Sequence, residues 1–262
     1  MDLLVVGAGA MGRWFGQTVD CTLAFTDVDS DAAERAADAL GARSVPLDGD
    51  EQFDLVCLAV PMGYAAEAVE MHAHRAVGGM CDVTGSMATP LDAMRTHLPD
   101  RERFSLHPLF AARNSPGNVA VVADSPGPLT TDVLDSLDHA GNTVFETTVE
   151  EHDDAMETVQ AAAHAAVLSF GLAAEDVRDE FSTPVSSALD ALVETVSAGT
   201  PRVYADIQAT FGDGSNRVAD AARDIAEADP ERFADLYRQV AETAGGPATD
   251  RPEDGHASDR DH

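Results

Sequence analysis

The sequence predicts an α/β fold, a doubly wound parallel sheet followed by an all-helical domain. Three observations predict it. The chain opens on an apolar run, Leu3-Leu4-Val5-Val6, that leads straight into Gly7-Ala8-Gly9-Ala10-Met11-Gly12. Short apolar runs then alternate with Ala-rich amphipathic runs as far as Thr147. From Val149 the strand-like runs stop and helical periodicity takes over. The domains expected are therefore residues 1–148, a helical domain over 149–244, and a disordered acidic tail over 245–262.

The opening stretch organises the rest. Gly7 permits a tight turn out of the first strand. Gly9 lets a pyrophosphate approach the backbone, and Gly12 lets the following helix pack closely on the strand. The helix N-terminus offers unpaired N–H groups to the anion. A second strand, Thr22-Leu23-Ala24-Phe25-Thr26, ends at Asp27, twenty residues after Gly7, where a carboxylate meets a ribose 2′-hydroxyl. Asp27 repels a 2′-phosphate and no arginine directly follows it, so the Rossmann-type motif predicts NAD over NADP. Gly7, Ala8, Gly9, Ala10, Met11, Gly12 and Asp27 are the expected cofactor-binding residues.

The remaining elements follow in order. Asp31 to Leu40 reads as a helix closed by Gly41. Ser44 to Leu47 reads as a short third strand. Phe53 to Val60 reads as a fourth, stopped by Pro61 at its carboxyl end, so Val60 and Pro61 should face the cofactor. A helix over Gly63 to Ala76, a fifth strand from Gly79 to Thr84 and a helix over Pro90 to His97 come next. Strands at Arg103–Leu106, Val119–Ala123 and Thr143–Thr147, with a helix at Thr130–Ala140, complete the sheet domain. Beyond it, Glu151 to Ala174 reads as one long helix. Others start at Pro184 and Pro201, with Gly212-Asp213-Gly214 interrupting or capping the second, and a last runs from about Pro230 to Ala244. So much Ala and Val on helices predicts a bundle that packs against a second copy, a homodimer.

Composition narrows the function. The 262 residues carry a net charge of −31, and all sixteen basic residues are arginine. Such a surface argues against nucleic acid or an anionic membrane as partner. It fits a haloarchaeal-type halophilic protein working in molar salt, where the Debye length falls to ~3 Å. The absence of lysine removes every mechanism built on a lysine acid, base or Schiff base. No apolar run reaches the ~20 residues of a membrane span, and the first strand leaves no room for a signal peptide, so a cytoplasmic location is expected. Cys21, Cys57 and Cys81 show no metal-ligand spacing, and Cys57 and Cys81, in apolar strands, read as buried thiols in a reducing compartment.

Few acids or bases are available for chemistry between the two domains. The best is His107, in Ser105-Leu106-His107-Pro108-Leu109-Phe110, set on a loop just after a strand. There an imidazole supplies a base near neutral pH.

Several stretches, in this order, resemble the prephenate dehydrogenase family over roughly residues 2 to 240. They are Gly7 to Gly12, Leu58-Ala59-Val60-Pro61, Asp82-Val83-Thr84-Gly85-Ser86 with Pro90-Leu91, Leu106-His107-Pro108-Leu109-Phe110, Glu151-His152-Asp153 with Met156, Gln160 and His164, and Tyr204-Ala205-Asp206-Ile207. The resemblance implies NAD-dependent oxidative decarboxylation of prephenate to 4-hydroxyphenylpyruvate in tyrosine biosynthesis. It makes His107 the catalytic base on the ring C4 hydroxyl, with Ser86 helping to hold it, although an ungapped match puts Gly85 at the serine position. Met87 falls where the family has lysine, and Ala111 replaces the last glycine of the His-Pro segment. His164 matches a substrate-facing histidine; the alternative is a histidine satisfied in an Ala-rich helix interface. His152 is read as orienting its helix rather than as a contact. Arg217, then Arg113, are the expected anchors for the substrate carboxylates, the alternative for each being a surface ion pair.

Three rivals accompany this reading: the same chemistry on arogenate, a β-hydroxyacid dehydrogenase, and a regulatory paralogue that binds NAD without turnover. The second relies on a lysine this chain lacks.

Overall fold

The computed structural model describes residues 1–244; the expected acidic tail, 245–262, lies outside the described residues. Two compact units divide at Ser215/Asn216. The first holds the sheet and most of the helical region; among the described residues, the second is the remainder of one long helix and the final helix. The expected boundary at 148/149 marks the change from sheet to helix rather than the division between these units.

The sheet region runs β1 (Asp2–Val6), α1 (Ala10–Thr18), β2 (Thr22–Thr26), α2 (Ser30–Leu40), β3 (Arg43–Ser44), β4 (Phe53–Leu58), α3 (Ala65–His72), β5 (Ala76–Asp82), α4 (Ala88–His97), β6 (Glu102–Pro108), β7 (Asn118–Ser125), α5 (Pro128–His139) and β8 (Thr143–Glu146). Its order is β3-β2-β1-β4-β5-β6-β7-β8, parallel throughout except for the β6/β7 pair. Alternate residues of each strand feed two cores. Leu3, Val5, Phe25, Leu55 and Phe104 pack with Phe15, Ala33 and Val133 of α1, α2 and α5. Leu4, Val6, Val56, Leu58 and Met80 face the other way, onto Val69, Leu91 and Met94 of α3 and α4. Apolar side chains on both sides of one strand require layers on both faces, which is the doubly wound arrangement.

Local chemistry sets the element ends. Asp29 accepts the Asp31 N–H at the start of α2, and Gly41 ends that helix at φ +65°. The antiparallel β6/β7 pairing extends to Pro108 opposite Val119, so it takes in His107. His107 therefore sits inside the strand, opposite Ala120, and not on the loop expected after it.

The helices that follow are α6 (Val149–Met156), a π-helical stretch (Glu157–Ala162), α7 (Ala163–Ala173), α8 (Pro184–Ser197), α9 (Pro201–Thr210), α10 (Asp213–Glu227) and α11 (Pro230–Ala244). The single long helix expected from Glu151 is continuous but carries the π stretch in its middle. Thr148 starts α6 by accepting the Glu151 N–H at 3.2 Å. Gly212-Asp213-Gly214 separates α9 from α10, and Gly214 lies inside the new helix. An α-carbon substituent on Gly214 would collide with the Glu157 carbonyl oxygen and come within 2.9 Å of the Ala162 nitrogen, so only glycine lets this turn pack on the π stretch. Among the described residues no helix is long and apolar enough to cross a membrane.

Gly12 joins α1 to the sheet with no room to spare, because a methyl group there would meet the Gly7 carbonyl oxygen and sit 3.1 Å from Val5 Cγ1. Gly12→Ala is expected to lose about 1–3 kcal/mol, measured by urea unfolding in molar KCl; an unchanged midpoint would refute this packing.

Candidate active site

Three strand ends build the site at the carboxyl edge of the sheet. At the first, β1 turns into α1. Gly7 has φ +102°, and a side chain there would run into the Ala59 carbonyl oxygen at the end of β4. Gly9, by contrast, faces open space: a Cβ built on it meets nothing within 4 Å. Its neighbours Ala10 and Met11 begin α1, whose first N–H groups have no helical partner. Asp27, at the end of β2, accepts the Ala8 N–H at 2.6 Å on one oxygen and the Asp29 N–H at 2.9 Å on the other. Both carboxylate oxygens are thus aimed by the backbone and keep lone pairs for hydroxyl donors. An open cradle over Gly9, a helix N-terminus and a fixed carboxylate together fit a dinucleotide. Val60 and Pro61 follow β4 on the other side of the crevice, at the point where the strand order reverses.

The second strand end is β5. Asp82 is fully buried there and shapes the turn that follows, accepting the Thr84 N–H at 3.0 Å and the Thr84 hydroxyl at 2.8 Å. Burial pushes its carboxyl up to about 7, against the pull of those bonds. The turn carries Gly85 at φ +90°, and a Cβ on Gly85 would stand 3.1 Å from His107 Nε2. Gly85, not Ser86, is the residue of this turn that faces the imidazole. Ser86 is buried, with its carbonyl 3.3 Å from the Thr84 hydroxyl. Met87, in the family's lysine position, is wholly buried in the second core.

The third is β6, which delivers His107. The residue is 7% exposed. His107 Nδ1 lies 2.8 Å from His152 Nε2, and His152 Nδ1 lies 2.8 Å from Asp153 Oδ1. Gln160 Nε2 sits 3.2 Å from His107 Nε2. The expectation that His152 only orients its helix is corrected: α6 carries it directly onto the His107 imidazole. Burial first, and then the neighbouring His152, lower His107 to about 3. The imidazole is therefore neutral at neutral pH and has a lone pair to offer.

Around this centre, Leu109, Met62, Met156, Ala161, Ile207 and Phe211 form an apolar cluster that joins the β4 and β6 ends to α6, the π stretch and α9. The segment beyond His107 is clamped to α1, where the Trp14 indole donates to Ser115 Oγ at 2.9 Å and stacks edge-on against Phe110 at 5.3 Å. Ala111 takes φ −79°, an ordinary extended backbone, so the missing glycine imposes no strain.

The other expected residues are placed less centrally. Arg113 is exposed on the short turn at Ala112–Asn114. His164 lies in α7, its ring 4.8 Å from that of Tyr204 and its pKa lowered by burial. Arg217 lies in α10, in the second compact unit. Sequence reasoning gave no role to Gln160, although it named the residue beside the Glu-His-Asp segment. It also passed over Arg202, which stacks on Tyr64 at 5.0 Å just past the end of β4.

Comparison with known proteins places this geometry. No family model matches the chain. The 4-amino-4-deoxyprephenate dehydrogenase of Streptomyces pristinaespiralis is 32% identical over 275 residues, covering 93% of this chain and 90% of that protein. The prephenate dehydrogenase of Aquifex aeolicus, solved with hydroxyphenyl propionate and NAD+, superposes with a TM-score of 0.70 at 15% identity, over 93% of this chain and 97% of that one. Synechocystis arogenate dehydrogenase gives a TM-score of 0.63 at 14% identity, over 94% and 98%. The structural likenesses establish the shared fold, and the sequence match goes further: the chain belongs to the prephenate dehydrogenase family.

Proposed function

We propose that the chain is an NAD-dependent prephenate dehydrogenase that converts prephenate to 4-hydroxyphenylpyruvate. The observation that carries this reading is His107, a buried neutral imidazole whose Nε2 faces Gly85 and Gln160 at the carboxyl edge of the sheet. When held over Gly9 with its ribose on Asp27, NAD supplies the hydride acceptor for the ring C4 hydrogen, and loss of the ring carboxylate as CO2 leaves an aromatic product. His107 Nε2 takes the C4 hydroxyl proton as that hydrogen departs and returns it to the product oxygen. Burial excludes water from the base and fixes its direction. Ser86 holds the Gly85 turn beneath it. Arg217 and then Arg113 remain the proposed carboxylate anchors, and His164 the proposed second histidine toward substrate, on the family resemblance and on guanidinium chemistry.

Arogenate, with an amino group in place of the side-chain keto group, is the alternative substrate. A second reading draws on the Streptomyces relative, whose name specifies an amino group at C4. The His107 lone pair accepts from an N–H as well as from an O–H, and Gly85, not a serine, faces its Nε2. The proposed surroundings are molar salt, a cytoplasmic setting and a homodimer. No residue of α7 is buried, and Leu172, Val185 and Leu192 expose apolar surface on α7 and α8, which a second copy would cover.

The deciding assay follows NADH absorbance in molar KCl with prephenate, arogenate or the C4-amino analogue. Prephenate turnover should fall ~10³-fold in His107→Asn with NAD affinity unchanged. Preference for another substrate moves the assignment to it, and NAD binding without any turnover supports the regulatory paralogue.

The pH dependence has a definite sign. Protonation of His107 disables it, and its pKa near 3 puts that loss far below the usual histidine range. The rate should show no histidine ionisation between pH 5 and 7.5 (roughly the range of an ordinary histidine). Stability behaves oppositely: below pH ~6.5 the unfolded chain takes up a proton that folded His107 refuses, costing roughly 1.4 kcal/mol per pH unit. Buried Asp82, raised to about 7, contributes the opposite slope over the same range, so the check is made in Asp82→Asn, where an activity limb near pH 6.5 in a still-folded protein would contradict the assignment. Light scattering in molar KCl should give about twice the 27.5 kDa chain mass, and a monomer would remove the dimer.

A further inference from the structure

The His107 site poses a problem that its own geometry answers. Burial makes a poor place for an imidazolium, yet the proposed reaction asks His107 to accept a proton. The neighbours form an ordered chain. Ionised Asp153 only accepts hydrogen bonds, so His152 must carry its proton on Nδ1. His152 Nε2 is then a lone pair, and His107 must carry its proton on Nδ1 to reach it at 2.8 Å. That leaves His107 Nε2 bare, facing the Gln160 amide at 3.2 Å, a donor opposite a lone pair. Every polar atom has one consistent role, and the tautomers are fixed from the carboxylate inward. The far end opens outward: the His152 side chain is 1% exposed and that of Asp153 29%.

We propose that His152 and Asp153 form a proton relay that keeps His107 from ever becoming a cation. The proposal rests on His107 being the base. The substrate hydroxyl proton moves to His107 Nε2 as the Nδ1 proton of His107 passes to His152 Nε2 and the Nδ1 proton of His152 passes to Asp153 Oδ1. Each imidazole exchanges one tautomer for the other and stays neutral. The carboxylate becomes a carboxylic acid, and its negative charge is in effect delivered to the substrate oxygen. When the aromatic product forms, the same three protons run back, so the relay is reset without a net gain or loss. His152 and Asp153 are positioning residues, acting through His107. Gln160 marks the seat that the substrate hydroxyl takes.

Two readouts test the relay. In single turnover with NAD and prephenate in molar KCl, rates in H2O/D2O mixtures should bow downward for the wild type, because several protons move together. Asp153→Asn should slow the step ~10²-fold, leave the prephenate KM within about twofold, and give a linear plot; Asp153→Glu should restore much of the rate and the curvature. A linear wild-type plot, or an Asp153→Asn rate within twofold of wild type, overturns the relay. Independently of turnover, 15N NMR of the histidine rings in the protein without substrate should show both His107 and His152 protonated on Nδ1 and bare at Nε2. The opposite tautomer on either ring overturns it too. The arms separate the two readings. Loss of rate in His107→Asn with full rate in Asp153→Asn removes the relay and keeps the base, whereas full rate in His107→Asn removes the base itself.

Discussion

The 2.8 Å bond between His107 Nδ1 and His152 Nε2 is the constraint around which the site is arranged. It joins the sheet, through β6, to the helical region, through α6, at a point from which water is excluded. A buried polar atom without a partner costs ~1–3 kcal/mol, so neither histidine is free to turn away. The bond also transmits direction. Asp153 orients His152, His152 orients His107, and the one remaining lone pair points at the space under Gly85 and Gln160. The arrangement thus fixes the direction of one imidazole, which is the kind of positioning by which a protein fold prepares a reactive group.

The sheet was largely legible in the sequence because buried parallel strands are continuous apolar runs, and Leu3–Val6, Phe53–Leu58 and the glycine turn leave little choice. Strand ends were less so. His107 looked like a loop residue because Pro108 follows it, but an antiparallel partner needs no N–H from Pro108 to extend the pairing past it. His152 was misread for a different reason. Its role depends on where α6 lands on β6, a tertiary relation separated by 45 residues, and helical periodicity carries no information about it. The Glu-His-Asp spacing held the signal, since a histidine beside a carboxylate on a buried helix face is an oriented histidine.

The departures from the family pattern are mutually consistent. A serine at position 85 would need a left-handed backbone and a Cβ pressed 3.1 Å from His107 Nε2, both unfavourable. Glycine removes that conflict and leaves His107 Nε2 open, with Gln160 supplying the amide that faces it from the helical side. Met87, where the family resemblance implies a lysine, is core, in a chain whose basic residues are all arginine. In this chain the polar side chain that faces His107 Nε2 therefore comes from the helix, through Gln160, and not from the β5 turn.

The π stretch explains how one helix can reach both ring nitrogens of His107. His152 and Gln160 are eight residues apart. On a regular α-helix, at about 100° per residue, they would point roughly 80° apart. The wider turn from Glu157, with about 4.4 residues per turn, brings that to within roughly 30°. One residue then reaches Nδ1 of His107 and the other Nε2. Such a stretch weakens the helical ladder, and the surroundings compensate for it: the Gln208 amide donates to the Ala161 carbonyl at 2.9 Å, and Gly214 lets α10 begin directly against the Glu157 and Ala162 backbone. Those supports come from α9 and the start of α10, elements that themselves touch neither nitrogen of the base. The helical region therefore contributes to the site by holding one helix in the phase that sets His152 and Gln160 on either side of the His107 imidazole.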